Sequence, residues 1–394
     1  MTFKKTFLLI ALLPLCITAG AQVALDSLFA AVEHHHPSLK ALRATIESER
    51  LENRVATRLP DPEVEVEVLR GSPSTLGTRT GFKAMQGFDF ATLSGRRRGL
   101  VRSQDAALTA QYRAERSRLF LEARLVMVDL IHCNASLLLI EHRRHTAKEL
   151  LTLNEKRLRS GDATHLEHNT ARLSAATLEA EATNLKAEQE SLYLRLNALC
   201  GGAAPEVPDT IFSLTPLPAD FNEWLANVAE GSPLLAEVKA EADLSRAQRS
   251  LTRAENLPSL KVGYMSEHVP GETFRGLTFG VSLPLWSNRA RRRQADAAVR
   301  AAEERSEAAT QLFEGQLRSL HRLALGRLRV AEKLRRLCRE TDNRPLLLKA
   351  YNAGEISLLD YLLELELFFD AENKALDAER EYHKALAELM AAEW

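Results

Sequence analysis

Two pairs of histidines have the spacing of metal ligands. His142 and His145 stand three residues apart directly after Glu141, and His165 and His168 repeat that spacing. On a helix such residues share one face, so either pair could hold a metal ion with a third ligand. The sequence has no H-E-x-x-H motif and no cysteine at ligand spacing to either pair. We therefore predict no functional metal site and interpret both pairs as polar helix surface.

Other catalytic motifs are missing as well. The sequence contains no G-x-S-x-G elbow, no glycine-rich phosphate loop and no dinucleotide fingerprint. The formal net charge is −1, which gives no electrostatic case for nucleic acid. His34-His35-His36 is interpreted as a polar helix start. The sequence thus predicts a protein that is not an enzyme, requires no cofactor and does not bind nucleic acid.

Charged residues alternate with apolar ones near residue 63. Glu63, Glu65 and Glu67 alternate with three valines, which predicts a strand with one wet face and one apolar face. Lys261 takes the polar position in a similar segment of the second half. Strands are predicted at about 62–70, 81–91, 258–268 and 275–286.

Each predicted strand has about the length that a tilted strand needs to cross a bilayer. A strand that is apolar outside and polar inside is typical of an outer-membrane barrel, and Glu63, Glu65, Glu67 and Lys261 would then face its lumen. A half-exposed hairpin of a soluble domain is the alternative for any single strand. Four strands cannot close a barrel, so the membrane interpretation requires an oligomer. Strand counting alone leaves dimer and trimer open.

The sequence repeats itself. Pro37-Ser38-Leu39 and Pro233-Leu234-Leu235 begin helical stretches 196 residues apart, and Gly161 and Gly354 are 193 residues apart. We predict a first repeat over 22–200, a connector over 201–229 and a second repeat over 230–394. Each repeat has the order helix, strand, strand, very long helix, turn and long helix.

The helices predicted in each repeat are very long. Ala, Leu, Glu and Arg dominate from about residue 95 onward, and the 394 residues include only 18 Gly and 14 Pro. One helix is predicted from about Arg96 to Ser160 and another from about Arg289 to Asn352, with a kink at Pro345. Their apolar spacing predicts coiled-coil packing. The arginine runs at their beginnings, 96–98 and 291–293, are interpreted as strand-to-helix junctions near the periplasmic interface rather than as a nucleic-acid surface.

The N-terminus predicts export. Lys4 and Lys5 precede an apolar run from Phe7 to Leu15, and Ala19-Gly20-Ala21 supplies small residues for cleavage. The signal peptide is placed at 1–21. Lipidation at Cys16 is disfavoured by the bulky residue before it. The three remaining cysteines are interpreted as small buried apolar residues.

Together these features resemble the TolC-like outer-membrane efflux proteins. The resemblance covers about residues 23–394 and is carried by the repeat openings, by Tyr351-x-x-Gly354-Glu355-Ile356-Ser357, by 358–362 and by the strand end at 282–286. It implies a mainly α fold with a trimeric 12-stranded barrel, four strands per chain, continued by a periplasmic α-helical barrel.

The resemblance also implies function and partners. Family members are passive exit ducts of tripartite systems of the RND or related types, with an inner-membrane transporter and a periplasmic adaptor as partners and with outer-membrane lipid around the barrel. The adaptor would dock at Gly161, Asp162, Ala163, Thr164, Gly354, Glu355, Ile356 and Ser357. Glu167 and Asp360 would line the periplasmic aperture, whereas Leu363 occupies a second position that is acidic in other members. Short strand connections favour the metal-efflux branch.

Two alternatives belong to other classes. A periplasmic adaptor or coiled-coil interaction protein also contains a helical hairpin, but it has one hairpin rather than two matched halves. A metal-binding periplasmic enzyme or sensor could be built on the histidine pairs.

Overall fold

The computed structural model describes residues 25–89, 95–212, 216–255, 257–282 and 288–394. The predicted signal peptide and most of the predicted strand end at 282–286 lie outside these ranges. The helices are α1 (25–35), α2 (Pro37–Ala56), α3 (Arg96–Ser160), α4 (His165–Leu199), α5 (Phe221–Gly231), α6 (Pro233–Ala254), α7 (Asn288–Glu340), α8 (Arg344–Ala353) and α9 (Leu358–Met390). The strands are β1 (Glu63–Arg70), β2 (Thr78–Asp89), β3 (Ser259–Val269) and β4 (Glu272–Ser282).

One helix overlaps the end of the stretch predicted as a connector. The connector was predicted over 201–229, but α5 begins at Phe221 because Asp220 accepts hydrogen bonds from the backbone N–H groups of Asn222 and Glu223. Leu225 and Val228 of this helix are buried. Since α1 has the matching place before α2, the repeated unit begins with two helices rather than one.

The first long helix matches its predicted range. Helix α3 runs without a break for 65 residues, from Arg96 to Ser160. Its apolar residues at three- and four-residue spacing, such as Ala123, Val126 and Leu130, are buried. Among the described helices it is the one that could cross a membrane by length and composition, although more than half of its most apolar stretch is buried, as in the core helix of a soluble protein.

The second long helix is broken, not kinked. Helix α7 ends at Glu340, and α8 begins at Arg344 with Pro345 in its first turn. The predicted kink at Pro345 is therefore wrong. A proline in the first turn removes an N–H group that has no partner within the helix, whereas a proline in the interior would remove a bonded one. Between the two helices, the Asp342 carboxylate accepts two hydrogen bonds of 2.8 Å from the Arg344 guanidinium.

The four strands form one antiparallel sheet in the order β1-β2-β3-β4. Strand β2 belongs to the first repeat and β3 to the second, so their pairing joins the two halves of the sequence. Strand β2 begins at Thr78, three residues before the predicted start, and β4 begins at Glu272. Strands β1 and β4 are the two edges of this sheet.

The chain forms two compact units, each built from both repeats. One unit contains 1–40, 115–230 and 313–394, and the other contains 41–114 and 231–312. In the first unit, Leu386 and Leu389 are completely buried in a cluster with Tyr382. Cys133 and Cys200 are buried, as predicted, and burial raises the pKa of each thiol to about 11, whereas Cys338 is only half-buried. The sheet belongs to the second unit.

Candidate functional site: a two-faced sheet and two capped turns

The sheet has one continuous apolar face, and this face is exposed. The pairing register places Val64, Ala84, Tyr264 and Leu277 in one row across the four strands. The fractional exposure of Leu277 is 72%, which is far above that of a core residue. Further exposed members of this face are Val66, Val68, Phe82, Val262, Phe279 and Val281. The described chain therefore leaves a broad apolar surface without cover.

The opposite face carries charges. Glu63, Glu65 and Glu67 alternate with the valines of β1, and Lys261 shares their face because its Nζ lies 3.1 Å from a carboxylate oxygen of Glu63. Lys83 Nζ lies 3.6 Å from Glu65 Oε2. The structure thus brings together the four residues that the sequence assigned to a lumen. These exposed pairs fix side-chain positions more than they stabilise the sheet.

Each predicted turn contains a glycine in the left-handed region. Gly161 ends α3 with φ of 86°, and Gly354 ends α8 with φ of 76°. The backbone N–H of Asp162 donates to Arg157 O and that of Glu355 to Ala350 O, both over short distances of 2.8 and 2.9 Å. These bonds satisfy carbonyl groups that a helix end otherwise leaves open. A positive φ favours glycine, so the two turns share one geometry.

The predicted aperture residues take part in capping the helices that follow the turns. In the first turn, the Thr164 backbone N–H donates to Glu167 Oε2 (2.7 Å), and the Glu167 N–H donates to Thr164 Oγ1 (3.2 Å). In the second turn, the Asp360 N–H donates to Ser357 Oγ (3.2 Å), and this hydroxyl donates to Asp360 Oδ2 (2.7 Å). Thr164 and Ser357 therefore cap the helices that leave the turns; the Glu167 carboxylate completes a capping box, whereas the Asp360 carboxylate bonds to the capping hydroxyl.

The rest of the turn residues divide into exposed and packed ones. Asp162 and Glu355 are exposed, and Ala163 is half-buried. Ile356 packs against a buried cluster that contains Tyr361 and Leu358. The two turns thus present acidic side chains to solvent above an apolar base.

A buried polar pair lies beneath these turns, and the sequence analysis did not identify it. Asn154 is 1% exposed, its Nδ2 lies 3.1 Å from Tyr351 Oη, and the hydroxyl donates back to Asn154 Oδ1 at 3.2 Å. The guanidinium of Arg157 lies 5.4 Å from the centre of the Tyr351 ring. The one available signal was an asparagine within an apolar helical pattern.

The histidine pairs are not gathered into a site. His145 Nε2 lies 3.4 Å from Glu149 Oε1, one turn along the same helix. Of the histidine triplet, His34 and His35 end α1 rather than begin a helix, whereas His36, directly before α2, accepts a hydrogen bond at Nδ1 from the Ser38 backbone N–H (3.1 Å). Among the residues that the structure describes, no group of three His, Cys, Asp or Glu side chains could hold a metal ion.

Sequence comparison gives one short similarity. No protein-family model matches the chain. The cobalt-zinc-cadmium resistance protein CzcC of Cupriavidus metallidurans is 28% identical over 131 residues, which are 33% of this chain and 31% of CzcC. The matched stretch thus spans about a third of that relative.

Structural comparison covers nearly the whole chain. A crystal structure of CusC, from a study of folding and transmembrane channel formation, matches with a TM-score of 0.78 and 15% identity over 94% of this chain and 92% of that one. The outer-membrane channel OprN matches with a TM-score of 0.77 and 18% identity over 94% and 89%. These matches confirm the predicted mainly α fold with a small β part of four strands per chain: the chain has the fold of the TolC-like outer-membrane channels.

Proposed function

We propose that this protein is the outer-membrane exit channel of a tripartite efflux system. The observation that carries the proposal is the exposed apolar face that continues across all four strands, from Val64 to Leu277. A lipid environment stabilises such a face, because it keeps the apolar side chains away from water. The opposite face, with Glu63, Glu65 and Lys261, would then line a water-filled lumen.

The free edges of the sheet support a trimer. In lipid, the unpaired backbone groups of β1 and β4 would each cost several kcal/mol. Pairing β4 of one copy with β1 of the next removes both edges, and three copies of this four-stranded sheet give a barrel of the 12 strands that the resemblance implies. The three copies would be joined by backbone hydrogen bonds rather than by side chains alone.

The capped turns would serve the partners. We propose that residues 161–164 and 354–357 contact a periplasmic adaptor, and that Glu167 and Asp360 line the aperture. The support is their place at two sharp helix reversals with exposed acidic side chains. An inner-membrane transporter would supply the energy, since a duct without a catalytic centre conducts passively.

Metal ions are the proposed cargo. The support is the similarity to CzcC, whose name describes resistance to cobalt, zinc and cadmium. In a strain that lacks its own metal-efflux channel, expression of this protein with its adaptor and pump should restore growth in zinc, cobalt or cadmium. If expression instead restored growth on medium with toxic organic drugs but not on medium with these metals, the channel would be assigned to drug efflux.

The channel proposal is tested by fractionation and native sizing. Membranes are separated, extracted in detergent and compared on gels with and without boiling. We expect an outer-membrane particle of three times the mass of one chain that shifts on boiling, as closed barrels do. A soluble periplasmic monomer would contradict the barrel and leave the sheet as an ordinary exposed hairpin pair.

A further inference from the structure

A group of arginines lies where the sheet meets the helices, and none has an ion-pair partner among the described residues. We name it the arginine surface: Arg58, Arg98, Arg102, Arg291, Arg292 and Arg293. All six side chains are exposed. By contrast, some arginines further along the same helices are paired: Arg144 Nη1 of α3 lies 3.0 Å from Glu179 Oε1, and Arg305 Nη1 of α7 lies 3.7 Å from Glu241 Oε1. The arginine surface is therefore a patch of uncompensated positive charge.

Sheet register and helix contacts bring these arginines to one edge. Asp89 at the end of β2 and Ser282 at the end of β4 both pair with Ser259, so the two strands end at the same edge of the sheet, one on each side of β3. Helix α3 begins seven residues after β2 ends, and the first arginine of α7 follows β4 by the same distance. Helix α2 lies beside the beginning of α3, because Asn53 Nδ2 lies 3.2 Å from Asp105 Oδ1.

Helix stability does not account for the arginines. The beginning of a helix carries partial positive charge, which disfavours cations and favours acidic residues there. Helices α4, α5 and α9 follow this rule with Glu167, Glu223 and Asp360 in their first turns. Helices α3 and α7 have no acidic residue in the first turn and begin with arginines instead. Both repeats thus place cations where the helix itself opposes them.

We propose that the arginine surface binds the headgroups of anionic phospholipids. The inference rests on the proposed function, since the apolar face of the sheet must lie in lipid for its helix-side edge to meet headgroups. A sheet with one apolar face and with exposed guanidinium groups just beyond its helix-side edge is complementary to a leaflet whose acyl chains are joined to phosphate headgroups. The guanidinium is planar and can donate two parallel hydrogen bonds to one phosphate. The expected ligands are phosphatidylglycerol or other lipids with net negative charge.

The test compares lipids that stay with the protein. Purified protein is placed in nanodiscs of phosphatidylcholine and phosphatidylglycerol in equimolar amounts, and the lipids retained after repurification are quantified by mass spectrometry. The test variant is R291Q/R292Q/R293Q. The matched control is R322Q/R327Q/R329Q, which removes three exposed arginines without ion-pair partners among the described residues from the same helix.

We expect the wild type and the control to enrich phosphatidylglycerol by about threefold or more, as several basic residues at a membrane surface do. The test variant should lose most of this enrichment, and high salt should reduce it in the wild type. Equal lipid composition in all three proteins would overturn the inference, and so would enrichment that both variants lose equally. Tight binding of an oligonucleotide without any lipid preference would also overturn it. Failure of the wild type to enter nanodiscs at all would instead contradict the proposed channel.

Discussion

The sheet and the capped turns use the same apolar residue types in opposite ways. In the sheet, Val66 and Phe279 are 69% and 72% exposed. Beneath the turns, Tyr361 and Leu358 are 2% and 1% exposed within one cluster. A single chain therefore completes the packing of its turns, whereas it leaves the sheet without cover and with two free edges. The difference indicates which region depends on its surroundings.

This contrast predicts how each region responds to mutation. A change in the buried cluster should destabilise the protein in any environment. A change on the apolar face of the sheet should matter only where that face is in lipid.

Tyr361→Ala should have the largest effect. Removing a buried aromatic side chain costs about 3–5 kcal/mol, because apolar contacts are lost and a cavity remains. The measurement is the free energy of unfolding of the detergent-solubilised protein in denaturant. Leu359→Ala on the same helix is the control, since Leu359 is 61% exposed and its loss should change little. Equal effects of the two changes would show that the cluster is not the core of the turn region.

Val66→Arg should have the next largest effect, and it should have this effect only when the protein is in a membrane. An arginine on the lipid face of a barrel costs about 2–4 kcal/mol near the bilayer midplane. Glu65→Arg is the matched control, because Glu65 is the neighbouring residue on the opposite face. The measurement is the yield of heat-modifiable oligomer in the outer membrane, which Val66→Arg should reduce and Glu65→Arg should leave nearly unchanged. A larger loss for Glu65→Arg would reverse the assignment of the two faces.

Gly354→Ala should have a moderate effect through the backbone alone. A Cβ at this position meets no atom within 4 Å, but φ is 76°. The left-handed region costs other residues about 1–2 kcal/mol. Gly315→Ala provides a control of opposite sign: a Cβ there also meets open space, it lies within α7, and alanine should stabilise the helix by about 0.5–1 kcal/mol. Destabilisation by both changes would point to an unrecognised contact rather than to backbone conformation.

Local patterns predicted much of this structure. The alternation of Glu63, Glu65 and Glu67 with valines was sufficient to assign the two faces of β1, because strand periodicity fixes them. The range of α3 was predictable because no proline interrupts it. The two turn glycines were found from their positions in the repeat.

Features that depend on a choice between two local conformations, or on contacts between distant residues, were not predicted. The break before Arg344 was not predicted, because a proline pattern alone does not distinguish a kink from a new helix. Helix α5 was hidden by the many prolines and small residues before it. The Asn154–Tyr351 pair joins residues 197 positions apart, so no local pattern could reveal it.

The smallest predicted effect concerns pH at the first turn. The pKa of Glu167 lies below its ordinary value, first because the Thr164 backbone N–H donates to the carboxylate and then because the Thr164 hydroxyl does. A lowered pKa in the folded state means that the cap stabilises α4 above the ordinary glutamate pKa and is lost as pH falls through the lowered value. Hydrogen exchange at the start of α4 should therefore become faster in acid than at neutral pH, after correction for intrinsic rates. Glu167→Gln should remove this dependence and Thr164→Ala should weaken the cap by about 1 kcal/mol at neutral pH. An unchanged acid response in Glu167→Gln would assign the titration to another group and would leave the carboxylate free for a role at the aperture alone.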